Sequence, residues 1–121
     1  MENEVELLSK RMIRAIGNIR QFAERTYNFD SAKDFFAIHN FNIEGLKELS
    51  RLRKNNYYLE KLEEYPKLSE NEVDYAIHKR TDGGGLSKQT EDKLQLLAEI
   101  NKSILHVISH PGMDEMIRAS E

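Results

Sequence analysis

KQTEDKLQLLAEINKSILHVIS, residues 88–109, has the strongest helical pattern in the chain. Its apolar residues recur at spacings of three and four, which places them on one wide face of an α-helix. The members of this face are Leu94, Leu97, Ile100, Ile104, Leu105, Val107 and Ile108. Pro111 and Gly112 follow after His110 and are typical of a helix end. The stretch therefore predicts a long amphipathic helix whose apolar face must be buried.

Two further long helices are predicted nearer the N-terminus. Residues 3–26 carry an apolar stripe at the same spacings, with glutamates at its start and basic residues further along, an order that complements the helix dipole. Residues 43–65 carry a row of leucines and end before Pro66, since the residue before a proline disfavours the helical conformation. Both segments are long enough to span a small bundle.

The segment between these two helices, residues 27–42, is less regular. Asp30 or Ser31 could cap a short helix within it. The sequence Asn40-Phe41-Asn42 predicts a break, because asparagine favours turns and caps. Whether this segment is ordered without a partner stays open.

A shorter helix over residues 70–79 is predicted from a capping box formed by Ser69 and Glu72. Three consecutive glycines then predict a flexible loop over about 81–87. Residues 113–121 are predicted to form a frayed tail. No segment shows the period-two alternation of a strand. We therefore predict one all-α domain, a small antiparallel bundle of three long helices plus one or two short ones.

Composition limits the classes of function. The 121-residue chain has a net charge of −3, which disfavours a globally basic nucleic-acid-binding protein. It has no cysteine, so disulfides, thiolate metal sites and cysteine nucleophiles are excluded. No apolar run approaches the ~20 residues of a membrane span, and the acidic start does not resemble a signal peptide. We expect a cytoplasmic protein that does not bind membranes.

A strip of basic and aromatic residues is the first candidate site. On a continuous helix over 43–65, five of these residues share the side opposite the leucines and two more flank them. Basic groups interleaved with tyrosine suit a phosphate backbone, a stacked base or an acidic partner. The same pattern also describes an ordinary solvated helix face, because nearby glutamates supply balancing charge. The strip consists of Lys47, Arg51, Lys54, Tyr58 and Lys61, with Arg53 and Tyr57 beside it.

Asn56 stands among the leucines of this predicted helix. A buried asparagine at such a position can fix the pairing of two copies of a helix. The alternative, which we favour, is a break or kink at Asn55-Asn56, where helix propensity is lowest.

His106 and His110 are the second candidate site. Two histidines four residues apart on a helix can share a zinc ion, with Glu99 or Asp114 as an oxygen ligand. The interval lacks the glutamate of a zinc-protease helix, and His110 directly precedes Pro111, which favours a position outside the helix. A solvent-facing pair that supports the helix C-terminus by its charge is the alternative. We therefore predict no metal and no cofactor, with this pair as the weak candidates.

The sequence shows no recognisable catalytic group. No serine lies in a Gly-x-Ser-x-Gly turn, and no Gly-Lys-Ser/Thr follows the glycine run. We expect no enzymatic activity, but a protein–protein interaction module that docks a helix face or loop on an unidentified protein partner or on a second copy. The first alternative is a binder of a nucleotide or nucleic acid through the strip Lys47–Lys61. A metal-dependent enzyme that uses His106 and His110 is the other.

Overall fold

The described part of the chain forms five α-helices joined by short connections. The structure, a computed structural model, describes residues 3–82 and 84–110. Three helices are long and two are shorter, and these described residues contain no strand. The helices are α1 (Glu4–Ala23), α2 (Ala32–Arg53), α3 (Tyr57–Glu64), α4 (Glu70–Asp82) and α5 (Lys88–Ser109). The predicted all-α bundle is confirmed, and α5 has the predicted bounds.

Side-chain caps fix the starts of four helices. Asn3, Ser31 and Ser87 each accept a hydrogen bond from the backbone N–H three residues later, at 2.8, 3.2 and 3.3 Å. Ser69 accepts from the backbone of Glu72 at 3.1 Å, and the Glu72 carboxylate accepts from the backbone of Ser69 at 3.0 Å. These bonds satisfy N–H groups that have no partner within the helix. The predicted capping box is therefore confirmed.

The second long helix begins at Ala32, much earlier than predicted. Ser31 rather than Asp30 is its cap. The prediction of an irregular segment with a break at Asn40–Asn42 is wrong, because both asparagines are helical. Asn42 is fully buried, so packing against the rest of the bundle outweighs its low helix propensity.

A corner divides the predicted helix 43–65 in two. The helix α2 ends at Arg53, and Lys54 adopts the left-handed conformation with φ 53°. The Ser50 hydroxyl donates to the backbone oxygen of the buried Asn55 at 2.8 Å, which closes the corner internally. The prediction of one continuous helix is wrong, because local hydrogen bonds replace the helical ones here.

The corner also settles the two interpretations of Asn56. Asn56 is exposed and occupies the position before the first residue of α3. The favoured break is therefore confirmed, and the alternative of a buried Asn56 is wrong. The side chain of Asn55, not that of Asn56, accepts the Tyr57 N–H, at 2.9 Å.

The ends of two other helices also differ from expectation. Helix α4 continues through Asp82, so the predicted loop over 81–87 starts later, and its described part is residues 84–87. Helix α1 ends at Ala23, before the predicted end of 3–26, and Arg25 has φ 68° in the following turn. The predicted frayed tail over 113–121 lies outside the described residues.

Helix α1 packs against both α2 and α5 and runs antiparallel to each. The core has two clusters. One, the aromatic half, centres on Phe22, Phe29 and Phe35, whose rings lie 5.2–5.6 Å apart. The other, the aliphatic half, is built from Met12, Ile16, Leu46, Leu49, Tyr58, Ile100, Ile104, Val107 and Ile108. Helix α4 supplies Val73, Ala76 and Ile77 to the aromatic half.

Gly45 permits a close approach of α2 to the Met12 side chain of α1. A Cβ at this position would overlap the Sδ of Met12 and lie 2.9 Å from its Cε. Met12 is itself fully buried, so a shift of its thioether end would displace neighbouring core side chains. Gly17 on α1 is the opposite case, since a Cβ there would meet no atom within 4 Å.

We expect Gly45→Ala to lower the free energy of unfolding by about 1–3 kcal/mol, because overpacking outweighs the gain in helix propensity. Gly17→Ala should raise it by roughly 0.5–1 kcal/mol, since only the propensity term acts there. Urea unfolding followed by circular dichroism measures both. If Gly45→Ala were as stabilising as Gly17→Ala, the close contact between the two helices would not exist.

Candidate functional site

The predicted basic strip does not form one surface, because its residues lie on both sides of the corner. Three of its cations are engaged in local ion pairs: Lys47 with Glu44 at 3.3 Å, Arg51 with Glu48, and the partly buried Lys61 with Glu64 at 3.1 Å. The Arg51 guanidinium lowers the pKa of the Glu48 carboxyl through a side-chain hydrogen bond. Charge that is neutralised in this way gives little attraction for a phosphate.

The other strip residues are partly or fully withdrawn from solvent. Tyr58 is 0% exposed and belongs to the aliphatic half of the core. Arg53 is half-buried and donates to the Ser9 hydroxyl at 3.3 Å, and Tyr57 is half-buried beneath the Lys61 ammonium, 5.5 Å from the ring centre. Lys54 is exposed at the corner. The prediction that Tyr58 faces solvent is wrong, because the corner turns α3 relative to α2.

The histidine pair lies at the C-terminal end of α5. The ring centres of His106 and His110 are 4.5 Å apart, and His110 Nδ1 lies 2.8 Å from the backbone oxygen of His106. His110 follows the last helical residue, as predicted. Within residues 3–82 and 84–110, no three His, Asp or Glu side chains are grouped so that they could hold a metal ion. Asp114 lies outside these residues.

A groove between α1 and α2 combines exposed charge with exposed apolar surface. Its volume is about 400 Å³. On the α2 side Phe41 is 43% exposed and Ile38 is half-buried beside it. We call this surface the α1–α2 groove. It is lined by Lys10, Arg11, Arg14, Ala15, Asn18, Ile38 and Phe41.

The charge of the α1–α2 groove is positive, although the chain as a whole is negative. Lys10, Arg11 and Arg14 are all exposed. Neither Arg11 nor Arg14 forms an ion pair with another residue of the described ranges. The nearby carboxylates on α2, Glu44 and Glu48, are paired with Lys47 and Arg51 instead. The groove therefore keeps its positive potential.

Sequence reasoning missed the α1–α2 groove for a physical reason. On α1, Leu7, Arg11, Arg14 and Asn18 share one side by their spacing, and this pattern was available. The apolar part of the groove comes from Phe41 on α2, which lies where a break between helices was predicted. Only an antiparallel pairing of α1 with a long α2 brings the two halves together.

A second depression, of about 670 Å³, lies along the C-terminal end of α5. Tyr57, Lys102, His106 and His110 contribute to its lining, together with Arg20 from α1. Arg20 is held by Glu24 at 3.0 Å, and the C-terminus of a helix carries partial negative charge. This depression is therefore less suited to an anionic group than the α1–α2 groove.

A polar layer, formed by His39, Asn42, Tyr65 and Asn101, separates the two halves of the core. Tyr65 joins its members, since its ring stacks on His39 at 5.5 Å and its hydroxyl donates to Oδ1 of Asn101. Asn42 lies one turn after His39 and, like Asn101, is fully buried. The side chain of Asn42 makes no hydrogen bond with the described residues. Burial raises the pKa of the Tyr65 hydroxyl and lowers the pKa of His39 to about 4.

The comparisons with known proteins give no match, whether with protein families, with curated proteins or with solved structures. None of the helices in the described ranges combines the length and the apolar content needed to cross a membrane.

Proposed function

We propose that this chain is a non-catalytic protein-interaction module and that its partner binds in the α1–α2 groove. The observation that supports this is the exposed ring of Phe41 beside Ile38, rimmed by Arg11 and Arg14. Aromatic and arginine side chains are the residues that most often dominate the binding energy of protein interfaces. An apolar floor with a charged rim is also the usual anatomy of such an interface.

The alternative function, binding of a nucleotide or nucleic acid through Lys47–Lys61, has less support. The ion pairs of Lys47, Arg51 and Lys61 reduce the positive potential of that strip. Tyr58, the residue best placed by sequence for stacking on a base, is buried. No catalytic arrangement of His106 and His110 is supported by their contacts either.

Site-specific photo-crosslinking tests the proposed function. A photoreactive phenylalanine analogue at position 41, introduced in cells of the protein's own host, should give one discrete crosslinked protein product. The matched control carries the analogue at Tyr75, which is 51% exposed on α4 and lies outside the α1–α2 groove.

Arg11→Glu combined with Arg14→Glu should abolish the crosslink from position 41. Circular dichroism should show that this variant is folded, since both side chains are exposed. A folded protein that gives no product from position 41, or the same products from positions 41 and 75, would contradict the proposal.

A further inference from the structure

We infer that the occupant of the α1–α2 groove is an acidic amphipathic helix of a partner protein. This inference rests on the proposed function and adds the chemistry of the partner. It follows from the shape of the groove, from the spacing of its cations and from its charge relative to the rest of the chain.

The shape fits a helix because the groove runs between two antiparallel helices. Its α1 side extends from Lys10 to Asn18, a length of about 12 Å at 1.5 Å per residue. Leu7, 42% exposed on the same side of α1, continues the surface by nearly one more turn. A partner helix of three turns would match this length, and apolar side chains at spacings of three and four would reach Phe41 and Ile38.

The spacing of the cations fits carboxylates that repeat once per helical turn. Arg11 and Arg14 are three residues apart, so these two charges are separated by about one turn of 5.4 Å. A guanidinium binds a carboxylate through two parallel hydrogen bonds, which favours planar acidic groups over single-point contacts. Glutamates at the same spacing on a partner helix would face these cations.

The overall charge of the chain favours an acidic helix over nucleic acid as the occupant of the groove. The chain carries −3 in total, so a long polyanion that extends beyond the groove would meet repulsion from the remaining surface. A short acidic helix covers only the positive part. The amphipathic helix is therefore the occupant that satisfies both the apolar floor and the confined positive charge.

Fluorescence anisotropy with a designed probe tests this occupant. The probe is a labelled helical peptide of about 15 residues with leucines at spacings of three and four and glutamates beside them. Two further peptides carry glutamine at every glutamate position or the same residues in scrambled order. A single-stranded DNA of similar charge is the fourth probe. We expect the acidic amphipathic peptide alone to bind at micromolar concentration.

Two double variants locate the binding. Arg11→Glu with Arg14→Glu should weaken binding of the acidic peptide by roughly 10- to 100-fold, since attraction of two cations becomes repulsion. Lys67→Glu with Lys102→Glu reverses two exposed charges that do not line the groove and should change the affinity less than about threefold. Each variant serves as the control for the other.

Three outcomes would overturn the inference: equal binding of the glutamine or scrambled peptide, DNA binding that depends on Arg11 and Arg14, or absence of acidic-peptide binding. If the crosslink from position 41 still identifies a protein partner in any of these cases, the proposed function stands and only the chemistry of the occupant is wrong. If the crosslink also fails, both proposals are wrong.

Discussion

Replacing Tyr58 by alanine is expected to lower the free energy of unfolding by about 3–5 kcal/mol, the usual cost of removing a buried aromatic ring. The ring is 0% exposed and packs in the aliphatic half, where α3 meets α5. A loss of this size is a large fraction of the 5–15 kcal/mol that stabilises a typical domain. Urea unfolding followed by circular dichroism measures the change.

Two controls separate packing from surface charge. Tyr58→Phe keeps the ring and should cost only about 1 kcal/mol, the usual net contribution of a hydroxyl hydrogen bond. Lys47→Ala removes an exposed member of the originally predicted strip and should leave the stability nearly unchanged. If Tyr58→Ala and Lys47→Ala had equal effects, Tyr58 would lie at the surface, as the pattern of a continuous helix predicts.

Acidification is expected to destabilise the protein through His39. Its side chain is 7% exposed and lies between the rings of Phe35 and Tyr65, at 5.3 and 5.5 Å. Burial lowers its pKa from 6.5 to about 4, so the unfolded chain takes up a proton at a higher pH than the folded one. The stabilisation is complete above pH 6.5 and is lost as the pH falls towards 4, by about 3 kcal/mol in all.

Measurement between pH 7 and pH 5 isolates this effect, and the expected loss there is roughly 2 kcal/mol. Lys93 and the capping box lower the pKa of Glu72 below 4.5, so the stabilisation by this carboxylate is lost only at lower pH. His39→Phe preserves the stacked rings but cannot take up a proton. Its stability should therefore change much less between pH 7 and pH 5. A parent protein as insensitive to pH as this variant would contradict the burial of His39.

The fold class and the strongest helix were predictable because they depend on local patterns. The apolar face of residues 88–109 and the capping box at Ser69 and Glu72 each carry their signal within a few residues. The early start of α2 at Ala32 was not predictable in this way, because Asn40 and Asn42 favour a break locally and the burial of Asn42 depends on tertiary packing. The corner was visible as low propensity at Asn55-Asn56.

The candidate site was harder to predict than the fold. The strip Lys47–Lys61 was derived from a straight helix, and the left-handed Lys54 removes that geometry. Prediction of the α1–α2 groove requires knowledge of which helices are neighbours, since Arg14 and Phe41 lie on two different helices. Periodicity within one segment carries no information about such pairs.

The polar layer has a consequence for how the long helices are aligned. Sliding α5 along α1, its main neighbour, by one turn of about 5.4 Å would still place aliphatic side chains of the two helices against each other. The same movement would separate the Tyr65 hydroxyl from Asn101 and leave both polar groups buried without a partner, at a cost of about 1–3 kcal/mol each. The hydrogen bond between Tyr65 and Asn101 therefore specifies one alignment of α5, which the less directional apolar contacts alone would leave open.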